Sequence, residues 1–252
     1  MTAQQGAKCR SLPLELRLVR HADITSWPAE AIVSSSNAAL APNNNVHYWR
    51  FAGRQGTNGA IHAAAGPELL EACRVFGDVD LQRIGRGQAL NRRASNVRCA
   101  VGEAVSTAAF GALRCDYVIH AVTPDGMFDQ GAESCRLLAQ TYASVLAQCG
   151  WLAVGHVAIP ALGCGVHGWN LDDAAEIALR AIAKHSDSSA VCPRRIDLCF
   201  KEDETWDAFR RAAKRVLGAA QPRREDEEAT GRHEMQVWQI ASASLRAGRT
   251  RL

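Results

Sequence analysis

A glycine-rich loop in the second half of the chain is the clearest sign of chemistry in this sequence. It follows an apolar run at 157–162 and precedes a helix start at Asp172 and Asp173. Glycines let backbone N–H groups converge on an anion, and a helix N-terminus adds positive potential. The loop predicts a phosphate cradle at the end of a strand, with a simple strand-to-helix turn as the alternative. Its residues are Gly163, Cys164, Gly165, Val166, His167, Gly168 and Trp169.

Polar side chains also follow the first two predicted strands. Asp23 comes just after an alternating strand at 14–20, where a carboxylate can accept a hydrogen bond from an adenine amino group. A turn or N-cap carboxylate is the commoner role for such a residue. Asn37 closes a Ser-Ser-Ser-Asn stretch behind a short strand at 31–33, and its amide can bond ribose hydroxyls. Serine and asparagine are also ordinary turn formers, so both positions stay open on this pattern alone.

A helix start near residue 58 offers a second group of backbone N–H donors. Thr57 or Asn58 can cap this helix, and the N–H groups of its first turn would then face a phosphate. His62 lies in apolar surroundings, which favours a structural histidine over a catalytic one. Phe200 ends the last predicted strand, where its ring either stacks on a base or packs in the core.

The insertion at 42–56 leaves two interpretations open. It contains three consecutive asparagines at 43–45, which tolerate left-handed backbone conformations. It also contains Tyr48, Trp49 and Phe51. These aromatic residues either form a lid over a ligand or pack on the domain.

Alternating strands and helices must position these groups. Such alternation predicts a mixed or parallel sheet covered on both faces, that is, an α/β fold with three layers. The predicted strands are 14–20, 31–33, 117–122, 154–159 and 195–200, and the predicted helices are 59–76 (broken at Gly66-Pro67), 131–149, 172–184 and 206–217. Residues 1–13 are predicted to be flexible, 14–217 to form the domain, and 218–252 to be a disordered charged tail. A short helix at 237–245 is the alternative for part of that tail.

Composition narrows the function classes. The chain has 252 residues and a formal net charge of +3, which does not argue for a nucleic-acid partner. It has no run of 18 apolar residues and no signal-peptide pattern, so we expect no membrane association and an intracellular location, cytoplasmic or nuclear. The nine cysteines form no CxxC pair, which favours small buried residues over a metal site. A basic stretch contains Arg83, Arg86, Arg92, Arg93 and Arg98. It lacks the interleaved aromatic residues that are typical of nucleic-acid-binding grooves, so a nucleic-acid partner is not expected.

Taken in order, these motifs resemble those of macrodomains, the ADP-ribose-binding module. Residues 22–25 match a Gly-Asp-Ile-Thr-like turn, and residues 32–37 match an Ile-Val-Asn-Ala-Ala-Asn-like stretch. Residues 58–62 match Asp-Gly-Ala-Ile-His, residues 117–124 match a Tyr-Val-Ile-His-x-Val-x-Pro strand, and residues 164–169 match a Ser-Thr-Gly-Val-Phe-Gly-Tyr-like loop. The resemblance covers about residues 14–217.

The resemblance implies a three-layer α/β/α macrodomain-like fold with a mixed central sheet, and residue roles within it. Asp23 would bind the adenine amino group with the Ile24 amide beside it, and Phe200 would stack on adenine. Asn37 would lie at the ribose distal from adenine. The diphosphate would be held by amides of the 163–168 loop and of the 59–61 helix start. The ligand-binding residues expected are Asp23, Ile24, Asn37, Gly59, Ala60, Gly163, Cys164, Gly165, Val166, His167, Gly168, Trp169 and Phe200.

Departures from the family pattern leave two functions open. Asn58 stands where hydrolytic members carry an aspartate that helps to activate water, and an amide cannot accept that proton. Ser34 stands where many members have asparagine, and the usual glycine run is replaced by the 42–56 insertion. The chain is therefore expected either to bind ADP-ribose or ADP-ribosylated protein without cofactor, as a monomer, or to remove ADP-ribose from proteins or a related metabolite. The catalytic candidates are Asn37, Asn58 and His167, the last as a substitute base.

Overall fold

The computed structural model describes residues 13–42, 56–77, 97–188, 193–218 and 233–240. The strands in these ranges are β1 (Leu14–Arg20), β2 (Ala31–Ser36), β3 (Ala104–Ala108), β4 (Tyr117–Val122), β5 (His156–Pro160), β6 (Arg195–Phe200) and β7 (Met235–Ile240). The helices are α1 (Gly56–Ala65), α2 (Pro67–Arg74), α3 (Ala132–Trp151), α4 (Leu171–Ser188) and α5 (Asp203–Val216).

All seven strands form one mixed sheet in the order β3-β4-β2-β5-β6-β1-β7. The five central strands run parallel, and β3 and β7 pair antiparallel at the two edges. The carboxyl ends of β1, β2, β4, β5 and β6 therefore meet at one edge of the sheet, where open α/β sheets bind ligands.

Alternate residues of the strands supply two separate cores, because successive side chains of a strand point to opposite faces. On one face, Leu18 and Ile159 pack in the cluster that includes α3, α4 and α5. On the other face, Ile32 and Val118 pack with Ile61 of α1 and Leu69 of α2. Helices thus cover both faces, which confirms the predicted three-layer α/β/α class.

The predicted helix at 59–76 is broken where the sequence indicated. Gly66 has a φ of 80°, in the left-handed region that favours glycine, and Pro67 opens α2. The predicted strands at 14–20, 117–122 and 195–200 have the observed bounds. Strand β3 was not predicted, since only Ala104 and Thr107 of its five residues are buried and its apolar signal is weak.

The segment at 233–240 corrects the prediction of a disordered tail. Residues 235–240 are β7, which pairs antiparallel with β1 and places Trp238 opposite Leu16. The alternative helix at 237–245 is wrong for 237–240, which are strand. Val237, Trp238 and Ile240 bury apolar surface against the edge of β1, and this burial outweighs the solvation expected after the charge run at 222–228. Residues 219–232 and 241–252 of the predicted tail, and the predicted flexible residues 1–12, lie outside the described ranges.

No helix within the described ranges is long and apolar enough to cross a bilayer. None of the seven cysteines in those ranges forms a disulfide, and four of them are buried. Across the same part of the chain, no three His, Cys, Asp or Glu side chains are grouped so that they could hold a metal ion.

Trp238→Ala tests whether β7 belongs to the folded domain. The Trp238 side chain is 2% exposed, and truncating a buried tryptophan costs about 3–5 kcal/mol of unfolding free energy. We expect a loss of that size in urea unfolding. Gln239→Ala, at the exposed neighbouring position, should change stability by only about 0.5 kcal/mol. Equal, small effects of the two substitutions would contradict the assignment of β7 to the core.

Candidate functional site

The predicted site residues follow the carboxyl ends of the parallel strands. Asp23 follows β1, Asn37 follows β2, the 163–169 loop follows β5, and Phe200 ends β6. The sheet therefore brings these segments to one edge, as their positions in the sequence required.

The glycine-rich loop at 163–169 is joined to the loop that follows β4. The Gly126 N–H donates to the His167 carbonyl oxygen at 2.8 Å, and Trp169 Nε1 donates to the Pro124 carbonyl oxygen at 2.9 Å. Gln130 Nε2 also donates to the Gly168 carbonyl oxygen at 3.4 Å. We call residues 124–130 and 163–169 the paired loops, because these bonds hold their backbones together.

The three glycines of the loop differ in backbone conformation and in what a side chain at each position would meet. Gly163 and Gly168 have φ values of 84° and 61°, in the left-handed region. A Cβ at Gly163 would lie 2.8 Å from the Trp169 ring, and one at Gly168 would lie 2.5 Å from Met127 Cγ. A Cβ at Gly165 would meet nothing within 4 Å, so this position opens into space. Gly165 is therefore the loop residue at which a ligand can approach the backbone.

Trp169 and Cys164 contribute to the site differently from the prediction. The Trp169 side chain is 3% exposed and packs in the main core, so it supports the loop from behind rather than facing a ligand. Burial raises the pKa of the Cys164 thiol to about 12, so this side chain is neutral.

His167 links the loop to the segment after β4 through its imidazole. Its Nδ1 lies 3.0 Å from Thr123 Oγ1 and 3.3 Å from the Pro124 carbonyl oxygen. Because a carbonyl oxygen only accepts, Nδ1 carries the proton in this arrangement. The Nε2 atom of a neutral His167 is then left with a lone pair that can accept a proton or a hydrogen bond.

Helix α1 begins earlier than predicted, at Gly56, so Thr57 and Asn58 lie within its first turn instead of capping it. Ala60 lies four residues after Gly56, and its N–H is therefore committed to the helix. The amides that point out of the helix start precede Gly59 and Ala60. The N–H groups free at the helix start are therefore those up to residue 58, ahead of the 59–61 amides that the resemblance assigned to the diphosphate.

The Asn58 side chain points into the protein. It is 1% exposed, and its Nδ2 donates to Ser34 Oγ at 3.3 Å and to Ser36 Oγ at 3.4 Å. The amide thus ties the start of α1 to the end of β2. In this conformation the side-chain amide of Asn58 is committed to these two hydroxyls.

Asp23 forms the turn that was the alternative interpretation of this residue. Its Oδ1 accepts from the Thr25 N–H at 3.0 Å and from Thr25 Oγ1 at 2.7 Å. Asp23 remains exposed, whereas Ile24 is buried. The carboxylate can hold the turn and still present its second oxygen to a ligand.

Asn37 uses its amide within its own loop. Nδ2 donates to the Ala41 carbonyl oxygen at 2.8 Å, and Oδ1 accepts from the N–H groups of Ala39 and Ala41 at 3.1 and 3.3 Å. A contact from Asn37 to a ribose would have to compete with these bonds.

Phe200 is in the core, which was the alternative to adenine stacking. Its ring is 1% exposed and lies 5.9 Å from the Trp206 ring and 4.8 Å from the Phe209 ring, measured between centroids. These two rings of α5 occupy its surroundings, so a stacking face for adenine is not offered by this conformation. The side chain follows the alternation of β6 and packs toward α5.

A buried polar cluster that the sequence did not reveal lies beneath the start of α1. At its centre is His120 of β4, which is fully buried among hydroxyl, amide and thiol groups. A histidine within the apolar run 117–122 was the available signal. The cluster consists of Ser34, Ser36, Asn58, Cys73, Thr107 and His120. The nearby His62 is also buried, and burial lowers its pKa, which agrees with a structural role.

Two predicted features lie mainly outside the described residues. The insertion at 42–56 is described only at its ends, so its asparagines and Tyr48, Trp49 and Phe51 fall outside the described ranges. The same holds for Arg83, Arg86, Arg92 and Arg93 of the basic stretch. Its last member, Arg98, donates from its guanidinium to the Ala39 carbonyl oxygen at 2.9 Å and so supports the loop after β2.

Comparison with known proteins identifies the family. The family model of the Macro domain matches residues 44–178, more than half of the chain. An O-acetyl-ADP-ribose deacetylase of Pantoea vagans is 33% identical over 190 residues, which is 74% of this chain and 92% of that protein. A macro domain-containing protein of Vibrio parahaemolyticus is 36% identical over 161 residues, 62% of this chain and 75% of that protein.

Solved structures agree with this result. A mutant macrodomain of Oceanobacillus iheyensis with ADP-ribose (ADPR) has a TM-score of 0.61 and 25% identity, and the match covers 80% of this chain and 93% of that one. The same organism's macrodomain with ADP has a TM-score of 0.60 and 26% identity, over 78% of this chain and 88% of that one. By motif order, sheet topology and sequence similarity, this chain belongs to the macrodomain family.

Proposed function

We propose that this chain binds ADP-ribose, free or attached to a protein, at the carboxyl edge of its parallel strands. The observation that carries the proposal is the open Gly165 backbone in the paired loops, just ahead of α4 in the chain. Such a loop offers N–H groups to a diphosphate without a side chain in the way. The macrodomain relatives with ADP-ribose and ADP support the same ligand class.

The other segments at this edge suit the remaining parts of the ligand. Asp23, exposed after β1, offers a carboxylate oxygen to the adenine amino group. The loop held by Asn37 after β2 would lie near the distal ribose, and the first turn of α1 adds N–H donors for the phosphates. Phe200 is left out of the proposed contacts because its ring is packed against α5.

A binding role is favoured over hydrolysis by the state of residue 58. Asn58 has no carboxylate, and its amide is buried and donates to two serine hydroxyls. General acid–base catalysis needs a group that can take a proton near the reacting atoms. Asn58 cannot serve as that group.

Hydrolysis of ADP-ribosyl esters is the second candidate function. It is favoured by the Pantoea vagans relative named a deacetylase and by His167, whose Nε2 lone pair lies in the glycine-rich loop. In that case His167 would take the proton of a water. The two functions differ in one measurement, the release of ADP-ribose by a protein that binds it.

Asp23→Ala tests the adenine contact. Losing a charge-assisted hydrogen bond costs roughly 1.5–3 kcal/mol, so affinity for ADP-ribose in isothermal titration should fall about tenfold or more. Thr25→Ala is the matched control, because it removes a partner of the same turn and leaves the carboxylate. Thr25→Ala should bind within about twofold of wild type. Equal losses in the two variants would mean that Asp23 acts only through the turn.

Gly165→Glu tests the diphosphate contact. A glutamate fits the unliganded fold because the position is open, but it places bulk and negative charge where phosphates would lie. We expect ADP-ribose binding to be abolished with unchanged thermal stability. Gly150→Glu is the control, since a side chain there also meets nothing within 4 Å and the residue lies near the end of α3. Normal binding by Gly165→Glu would place the site elsewhere.

Asn58→Asp and His167→Ala separate binding from hydrolysis. We expect wild type to bind an ADP-ribosylated protein and to release ADP-ribose from carboxylate esters slowly or not at all. Restoring the aspartate should raise release by roughly 10²–10⁴-fold, the usual contribution of acid–base catalysis, if Ser34 and Ser36 turn their hydroxyls toward it. Brisk release by wild type, lost in His167→Ala, would favour the hydrolase instead. Release is followed by the free ADP-ribose formed over time.

A further inference from the structure

We propose that His120 is a positioning residue for this site, which holds the start of α1 against the end of β2 through Ser36 and Asn58. The ligand part of this inference rests on the proposed function, while the positioning itself can be measured without a ligand. The ligand-binding and catalytic residues expected from the resemblance did not include His120, Ser36 or Thr107.

His120 has a partner on each ring nitrogen. Its Nδ1 lies 3.4 Å from Ser36 Oγ. Its Nε2 lies 3.1 Å from Thr107 Oγ1 and 3.6 Å from Cys73 Sγ. In the sheet, His120 is the register partner of Ser34 on one side and of Val105 on the other. The imidazole therefore connects β2, β3 and α2 at the end of the sheet where the site lies.

The ring is neutral, which decides what it can donate. Burial lowers the pKa of His120 to about 3, with a smaller contribution from His62, whose ring centroid is 6.4 Å away. Burial also raises the pKa of the Cys73 thiol to about 11, so this neighbour is uncharged. A neutral imidazole carries one N–H and one lone pair, and each must match its partner.

The surrounding groups select which nitrogen carries the proton. The Ser36 hydroxyl donates to Ser34, whose Oγ lies 3.1 Å away and whose carbonyl oxygen lies 3.4 Å away. A carbonyl oxygen can only accept a hydrogen bond. With the Ser36 proton directed at Ser34, the arrangement assigns the donor role to His120 Nδ1 and the acceptor role to Ser36 Oγ. Nε2 then accepts from the Thr107 hydroxyl. The result is a chain of donors from Thr107 through His120 and Ser36 to Ser34.

Asn58 joins this chain at its far end. Its Nδ2 can only donate, and the oxygens that it reaches are those of Ser34 and Ser36. The direction of these hydrogen bonds determines where the Ser34 and Ser36 hydroxyls present their lone pairs. It thereby determines where the Asn58 side chain is held. Asn58 lies in the first turn of α1. By fixing the position of Asn58, His120 also fixes the position of the N–H groups that are proposed to bind the phosphates.

Two substitutions of His120 distinguish positioning from mere packing. Asparagine keeps a donor near the Nδ1 position, whereas glutamine reaches the Nε2 position and leaves Ser36 without that donor. We expect His120→Asn to bind ADP-ribose within twofold of wild type and His120→Gln to bind at least fivefold more weakly. In His120→Gln, the side-chain amide signals of Asn58 in an ¹⁵N NMR spectrum should also shift. These signals are identified by their absence in Asn58→Asp.

A second pair of variants removes only a hydroxyl from the cluster and so disturbs the core less than a change of the imidazole. Ser36→Ala removes the link between His120 and Asn58, and we expect weaker ADP-ribose binding and shifted Asn58 signals. Thr107→Val removes the other partner of His120 with little change in shape. It should lower stability while binding stays within twofold of wild type.

The proposal is overturned if His120→Asn and His120→Gln lose affinity equally, or if Ser36→Ala leaves the Asn58 signals in place. If the His120 variants do not fold, the comparison of Ser36→Ala with Thr107→Val decides in the same way. Failure of wild type to bind ADP-ribose would refute the proposed function alone. The Asn58 signals and the hydrogen exchange of the α1 amides would then still test the positioning.

Discussion

Parallel pairing of five neighbouring strands is the constraint on which the rest of this structure depends. It brings the ends of β1, β2, β4, β5 and β6 to one edge, although the segments that follow them are far apart in the chain. Helices must cover both faces of such a sheet, so the loops at this edge are left as its open surface. The candidate site is a consequence of this topology.

Around that edge, rigidity comes from hydrogen bonds between loops rather than from the loops themselves. The paired loops are joined by one hydrogen bond between their backbones and one from the indole N–H of the buried Trp169 ring, which supports them from behind. The turn at Asp23 is closed by Thr25, and the loop after β2 is closed by Asn37. A site built in this way is largely formed before a ligand arrives, which reduces the ordering cost of binding.

Buried polar groups have a second role in this domain, because each of them must find a partner away from water. His120, Ser36 and Asn58 satisfy one another beneath α1. On the same face of the sheet, at β6, Asp197 accepts through Oδ2 from Trp27 Nε1 at 2.8 Å, and the same oxygen lies 2.7 Å from His156 Nε2. Unpaired groups at these depths would cost about 1–3 kcal/mol each, so both networks restrict the chain to one arrangement.

The sequence by itself determined the fold class, the main strand bounds and the order of the motifs, since apolar periodicity and glycine positions are local signals. Only the tertiary structure decided the directions of the side chains. Phe200 packs toward α5 because of the strand alternation, and Asn58 turns inward because buried hydroxyls of β2 accept its amide. Strand β7 pairs with β1, a partner more than 200 residues away, and such pairing leaves no local pattern beyond a few apolar residues behind a charge run.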